Sequence, residues 1–193
     1  CYAGVSCFKE EDLNQDNFII LTGGPSSGKT TVINALKARN FFCSEEAGRK
    51  IIRNQLEQKG DALPWANKQA FGNLVLRYGI ASYLKHQSKN NIVFFDRSIV
   101  DVLAFFNLEK VKISDVLVSK ITNFKYHSKV FIFPPWKDIF TNDNERREDF
   151  NVAINFYNEI IVAYEKSGYE LVEVPFGTVD ERVKFILAKL ENS

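Results

Sequence analysis

Phe18-Ile19-Ile20-Leu21-Thr22-Gly23-Gly24-Pro25-Ser26-Ser27-Gly28-Lys29-Thr30-Thr31 is the stretch on which the reading of this chain turns. Its first five residues are a β-branched and aromatic run that stops at Gly23-Gly24, as a buried strand does when it enters a turn. The residues from Gly23 to Thr30 match G-x-x-x-x-G-K-[ST], and a helical pattern starts at Gly28 with Val32, Ile33, Ala35 and Leu36 on one side. Strand, glycine-rich loop and helix in this order make a phosphate cradle. The glycines let the backbone curl until several N–H groups face one point, and the helix N-terminus adds partial positive charge. Lys29 is spaced to reach the β- and γ-phosphates of a nucleoside triphosphate, and the Thr30 hydroxyl to complete a Mg²⁺ ligand set. Gly23, Gly24, Pro25, Ser26, Ser27, Gly28 and Thr31 line the cradle.

Outward from this segment, strand and helix patterns alternate to the C-terminus. Phe41–Ser44 reads as a short strand, Glu45 to about Lys59 as a helix ending at Gly60, and Trp65 to about Gln87 as a long helix. Ile92–Phe95 is an apolar strand ending at Asp96, and the helix after it carries Ser98 and Asp101 in capping-box spacing. Lys129–Phe133 is a strand stopped by Pro134-Pro135, and Glu145–Ser167 is an amphipathic helix followed by Gly168. Tyr169–Val174 is a last strand, and the final helix opens with a second capping box, Thr178-x-x-Glu181. Residues 1–17 read as a peripheral leader and 18–193 as one domain. The alternation predicts an α/β fold of three layers, a mostly parallel five-stranded sheet with helices on both faces. Ligands of such folds bind beyond the carboxyl ends of the strands, which directs attention to the polar residues found there.

Asp96 is one of these. It holds Mg²⁺ through water or takes a proton from a substrate hydroxyl, and Asp is equally suited to cap the next helix. Arg97 beside it suits a phosphate or polar substrate group. Glu46, with Arg49 one turn on, either orients a substrate hydroxyl or serves as an acid in the first helical turn. Arg146 and Arg147, in Asn142-Asp143-Asn144-Glu145-Arg146-Arg147, either neutralise charge on the moving γ-phosphoryl group or are solvated charge. Trp136 stacks on a base or anchors its loop. Trp65 packs at the start of its helix, and His86 and His127 are structural.

Composition excludes several classes. The net charge is +1 with both signs interspersed, so no basic footprint for nucleic acid stands out. The apolar runs fall far short of the roughly 20 residues of a membrane-spanning helix. Three cysteines without regular spacing read as reduced thiols of a cytoplasmic protein. The chain opens at Cys1 and has no methionine, which reads as a truncated or processed start. Asn67-Lys68-Gln69-Ala70 does not make the Asn-Lys-x-Asp guanine-reading motif, which favours ATP.

Thr22–Thr31, Glu46-Ala47-Gly48-Arg49, Phe94-Phe95-Asp96-Arg97, Pro134-Pro135-Trp136 and Asp143-x-Glu145-Arg146-Arg147 together resemble the P-loop AAA-like ATPases. That family includes the ribosylnicotinamide kinase domain of a bifunctional NAD-synthesis regulator and a GTP- and phosphoinositide-binding trafficking protein. Asp96-Arg97-Ser98 is also similar to a segment of thymidylate and deoxynucleoside kinases. The resemblance implies a sheet order of 2-3-1-4-5 and a lid carrying Arg146 and Arg147. It also implies a Mg²⁺-dependent kinase that moves the γ-phosphoryl group of ATP to a nucleoside-like or other hydroxyl or phosphate acceptor. In that kinase Lys29, Asp96, Glu46, Arg146 and Arg147 are catalytic, Glu46, Arg49, Arg97 and Trp136 bind the acceptor, and Thr30 and Asp96 serve the metal. The alternative is a slow ATPase or GTPase acting as a nucleotide-dependent switch, which needs the same loop but no acceptor pocket.

Overall fold

The computed structural model describes residues 14–140 and 149–191. Five parallel strands form the sheet: β1 (Phe18–Gly23), β2 (Phe42–Cys43), β3 (Val93–Asp96), β4 (Lys129–Phe133) and β5 (Glu170–Glu173), in the order β2-β3-β1-β4-β5. The expected order is therefore the observed one. Register sets the carboxyl ends together, with Leu21 opposite Asp96 and Gly23 opposite Phe133.

Side chains alternate across the pleat. Phe18, Ile20, Val93, Phe95, Val130 and Ile132 enter one core; Ile19, Leu21, Phe94, Phe131 and Phe133 enter the other. The first core lies under α3 (Lys68–His86), α4 (Asp101–Leu108), α5 (Asp115–Thr122) and α6 (Phe150–Lys166); the second lies under α1 (Lys29–Ala38) and α7 (Val179–Glu191). A satellite cluster of Ile51, Ile52, Leu63 and Phe71 joins α2 (Ala47–Glu57) to α3. These strands read as apolar runs without polar alternation because both of their faces are covered.

Several boundaries differ from the sequence reading, each for a local reason. The long helix begins at Lys68 rather than Trp65, because the Asn67 side chain accepts the Ala70 N–H at 3.1 Å and caps it. Trp65 stays outside the helix and is 57% exposed. Helix α5 was not anticipated, although Ser114 caps it by accepting the Leu117 N–H. At α7 the predicted capping box is present, with Glu181 accepting the Thr178 N–H at 2.8 Å. Residues 14–17 are tied to the fold: Asn14 bridges to Lys125, and the Asn17 amide donates to the Lys89 and Asn91 carbonyls. His86 lies edge-on to Phe95, and His127 accepts the Lys129 N–H, so both are structural. Burial pushes the Cys43 thiol up to about 11, which keeps it protonated and unreactive at neutral pH. Among the described residues no helix is long and apolar enough to cross a membrane.

Candidate active site

The loop between β1 and α1 has the backbone its sequence requires. Gly23 has φ +136°, and a Cβ there would sit 2.4 Å from the Phe133 carbonyl oxygen. Gly28 has φ +82°, and a Cβ there would strike the Arg182 guanidinium at 2.6 Å. Only glycine meets both demands, a left-handed backbone and close approach. The Ser27 hydroxyl donates to the Gly24 carbonyl at 2.9 Å, and the Thr31 hydroxyl to that of Gly28 at 2.7 Å. Lys29 is buried, and its Nζ donates to the carbonyls of Gly23 (3.0 Å) and Gly24 (2.7 Å) and to Ser27 Oγ (3.2 Å). The ammonium is thus held against the loop.

Arg182, from α7, was missed by the sequence reading. It is 2% exposed, and both Nη atoms donate to the Ser27 carbonyl at 3.2 Å. Its guanidinium lies over Phe133 at 4.6 Å and near Trp136 at 5.5 Å. No carboxylate among the described residues pairs with it, and burial lowers its pKa. A charged group buried beside a phosphate cradle without an acidic partner is a functional candidate on physical grounds. Its one sequence signal is that an arginine occupies a helix face otherwise filled by Val183 and Ile186.

A cluster of charges gathers at the carboxyl end of β3. Asp96 is buried, and its backbone N–H donates to Ser44 Oγ at 3.0 Å. Arg97 follows with φ +65°, a conformation that costs a non-glycine residue about 1–2 kcal/mol. It is held there by Asp101 at 3.2 Å and Glu46 at 3.5 Å, and it covers the Phe156 ring at 5.1 Å. Burial works against its charge, but Asp101, Glu46 and Asp96 outweigh it and raise the pKa. Arg49 pairs with the other oxygen of Glu46 at 3.3 Å.

Asp101 is the organising member. It accepts from Thr22 Oγ1, Arg97 Nη1, the Ser98 N–H (2.8 Å) and the Tyr164 hydroxyl (2.6 Å). The capping-box spacing of Ser98 and Asp101 is therefore real on the carboxylate side. Ser98 Oγ, however, accepts from Val100 N at 3.0 Å, and α4 begins at Asp101 itself. Removing one partner of a buried ion pair costs about 3–5 kcal/mol. Asp101→Ala is accordingly expected to lower the unfolding free energy by about 3 kcal/mol or more, a change that urea titration would measure.

Two cavities open on this cluster. One, of about 470 Å³, is polar and includes Thr30, Asn34, Lys37, Glu46, Arg49 and Asp96. The other, of about 790 Å³, runs from Pro25 and the charged cluster between α2, α3, α4 and α6. Glu46 and Asp96 line both, while Arg97 lines only the larger. Thr30 and Asp96 share a wall of the polar cavity, and no group of three or more His, Cys, Asp or Glu forms a metal cage among the described residues. That sparse set of hard oxygen donors fits Mg²⁺, which keeps waters and phosphate oxygens in its shell. Trp136 is on the lining of neither cavity; its ring packs at a tilt against Phe176 at 4.9 Å, beside Arg182. Arg146 and Arg147 lie outside the described residues.

The sequence profile of the AAA domain family matches residues 18–182. No curated protein matches the chain in sequence. Among solved structures, the deoxyadenosine kinase of M. mycoides superposes with a TM-score of 0.66 at 12% identity, covering 91% of this chain and 100% of that one. NadR protein in complex with NR gives 0.68 at 16% identity, covering 93% of this chain and 50% of the other, so the chain spans about half the length of NadR. Thymidylate kinase from Ehrlichia chaffeensis gives 0.56 at 18% identity, covering 92% and 99%. These likenesses establish a kinase-like P-loop fold. With the profile match extending from the first residue of β1 into α7, the chain belongs to the AAA domain family.

Proposed function

We propose that the chain is a phosphotransferase that moves the γ-phosphoryl group of ATP to the hydroxyl of a small molecule. The observation that carries this reading is the position of Asp96 in the walls of both cavities, one beside Thr30 and the other a cleft of about 790 Å³, large enough for an acceptor. A nucleotide-dependent switch has no use for the second cavity.

Each residue has a task in this reading. The cradle and Lys29 bind the β- and γ-phosphates, with Lys29 exchanging its loop carbonyls for phosphate oxygens. Thr30 and Asp96 would hold Mg²⁺, which offsets charge on the phosphate oxygens when bound. Trp136 and Phe176 offer an aromatic face to the base. The acceptor oxygen bonds to the γ-phosphorus, and the bond from that phosphorus to the β–γ bridging oxygen breaks. ADP leaves with the electron pair, and the acceptor proton passes to a carboxylate oxygen of Asp96. Asp96 suits this step better than Glu46 because it lies at the end of β3, next to β1, whose carboxyl end opens into the cradle.

The first test is ATP consumption with Mg²⁺ against a panel of nucleosides, ribosylnicotinamide, nucleoside monophosphates, sugars and simple alcohols. Acceleration by one compound, with its phosphorylated product seen by mass, is the expected result. Slow hydrolysis unchanged by every compound would favour the switch instead. Arg182→Ala is expected to weaken ATP binding about tenfold, the value of one hydrogen bond to a charged group. Arg182→Lys should recover little of this, because an ammonium cannot reproduce the planar double contact. Titration with a fluorescent ATP analogue measures both.

A further inference from the structure

The larger cavity has a charged cluster at one end and the Lys68–Glu109 ion pair at its rim. Glu46, Asp96, Arg97 and Asp101 form the cluster, and the wall beyond them is built largely from Ile52, Phe71, Val75, Phe95, Phe105 and Phe156. None of the lining residues is Asn, Gln or His, the side chains best able to read a nucleobase by paired donors and acceptors. Two of the lining hydroxyls are already engaged. Tyr126 accepts the Ile99 N–H at 3.4 Å, and Ser98 Oγ is shared between Tyr164 and the Val100 N–H. A base sunk into this wall would lose most of its hydration and regain few hydrogen bonds, whereas a hydrocarbon body gains by every contact.

The polar end selects as well. Arg97 reaches the cavity already paired with Glu46 and Asp101, and Arg49 with Glu46, so the arginine charges are matched by carboxylates. With Asp96 added, an acceptor phosphate would face three carboxylates, while a neutral hydroxyl meets acceptors for its proton. At the rim stand Pro64 and the exposed Trp65, next to the Lys68–Glu109 ion pair, an apolar step of the kind that marks a ligand entrance.

Resting on the phosphotransferase reading above, we propose that the acceptor is an amphipathic alcohol, an uncharged hydroxyl carried on a hydrocarbon body, and that the cavity excludes nucleosides and nucleoside monophosphates. The hydroxyl lies at Asp96 and the body runs along Val75 toward Ser82 and Tyr126. The products are ADP and the alcohol's monophosphate ester.

The test has a transfer arm and a binding arm. Radiolabelled ATP is incubated with the protein and decanol, geraniol or farnesol, and in parallel with thymidine, adenosine, ribosylnicotinamide and their monophosphates. Labelled ester is expected from at least one alcohol at ten or more times the rate with any nucleoside. Efficient labelling of a nucleoside, with none of the alcohols, overturns the inference while leaving the phosphotransferase reading in place. In the binding arm, farnesol is titrated against tryptophan emission in wild-type protein and in Trp65→Phe, with no ATP present. Saturable farnesol binding without labelling of any compound supports the apolar ligand and overturns the phosphotransferase reading. No farnesol, geraniol or decanol binding overturns the inference. Val75→Phe and Ser82→Leu each narrow the cavity, and farnesol affinity should fall at least tenfold in both, more than that of the shorter geraniol. Unchanged farnesol affinity in variants with wild-type melting curves places the ligand elsewhere and overturns the assignment.

Discussion

Lys29→Ala is expected to raise the dissociation constant for ATP by about 100- to 1,000-fold. Lys29 is 6% exposed, with its ammonium donors aimed at the loop carbonyls and Ser27 Oγ. A triphosphate offers it anionic oxygens in place of neutral carbonyls. Each charge-assisted hydrogen bond is worth about 1.5–3 kcal/mol, and two of them give roughly 3–4 kcal/mol after the loss of the loop contacts. Isothermal titration with Mg²⁺ and ATP measures the change directly. The variant has a second signature without nucleotide: two carbonyls and a hydroxyl lose a donor, so stability should drop by about 1–2 kcal/mol. Wild-type affinity in a folded Lys29→Ala protein would remove the loop from the binding site.

Asp96→Asn is expected to lower turnover about 1,000-fold while ATP affinity changes less than tenfold. General-base assistance contributes about 10²–10⁴-fold where the base is positioned, and an amide supplies neither the base nor a negative ligand for Mg²⁺. The substitution is nearly isosteric, and the backbone contact that fixes this residue, Asp96 N–H to Ser44 Oγ, does not involve the carboxylate. A loss in kcat in a variant that remains fully folded at the assay temperature separates chemistry from folding. If product formation persists at the wild-type rate, Asp96 serves only to balance the buried Arg97 charge, and the proton goes elsewhere.

How far the sequence could be read depends on the range of each interaction. The P-loop, the strand ends and the capping box at Thr178 are legible because turn, cap and pleat are set by residues within a few positions of one another. Asp96 and Glu46 are legible as candidates for the same reason, since each follows a strand that ends in a parallel sheet. Helix α5 escaped notice because eight residues carry too little periodicity, though Ser114-Asp115 is a fair cap signal. Arg182 escaped because it lies 155 positions from the Ser27 carbonyl it holds. Asp101 looked like a capping residue and is also the acceptor for Thr22, Arg97 and Tyr164, two of which are far away in sequence.

From its residues alone, this chain declares a strand, a phosphate cradle and a helix in a doubly covered parallel sheet, because spacing in the backbone fixes glycine turns, helix starts and strand faces. Tertiary structure decided everything that depends on which side chains meet. It matched Arg97 and Arg49 to carboxylates, buried Arg182 at the loop with no carboxylate partner among the described residues, and packed Trp136 against Phe176. It also formed, between α2, α3, α4 and α6, a cavity with a charged cluster at one end and a largely apolar wall. Charge pairing and the exclusion of water act through space, so packing alone determines where a side chain's charge is neutralised and what kind of molecule the remaining space will accept.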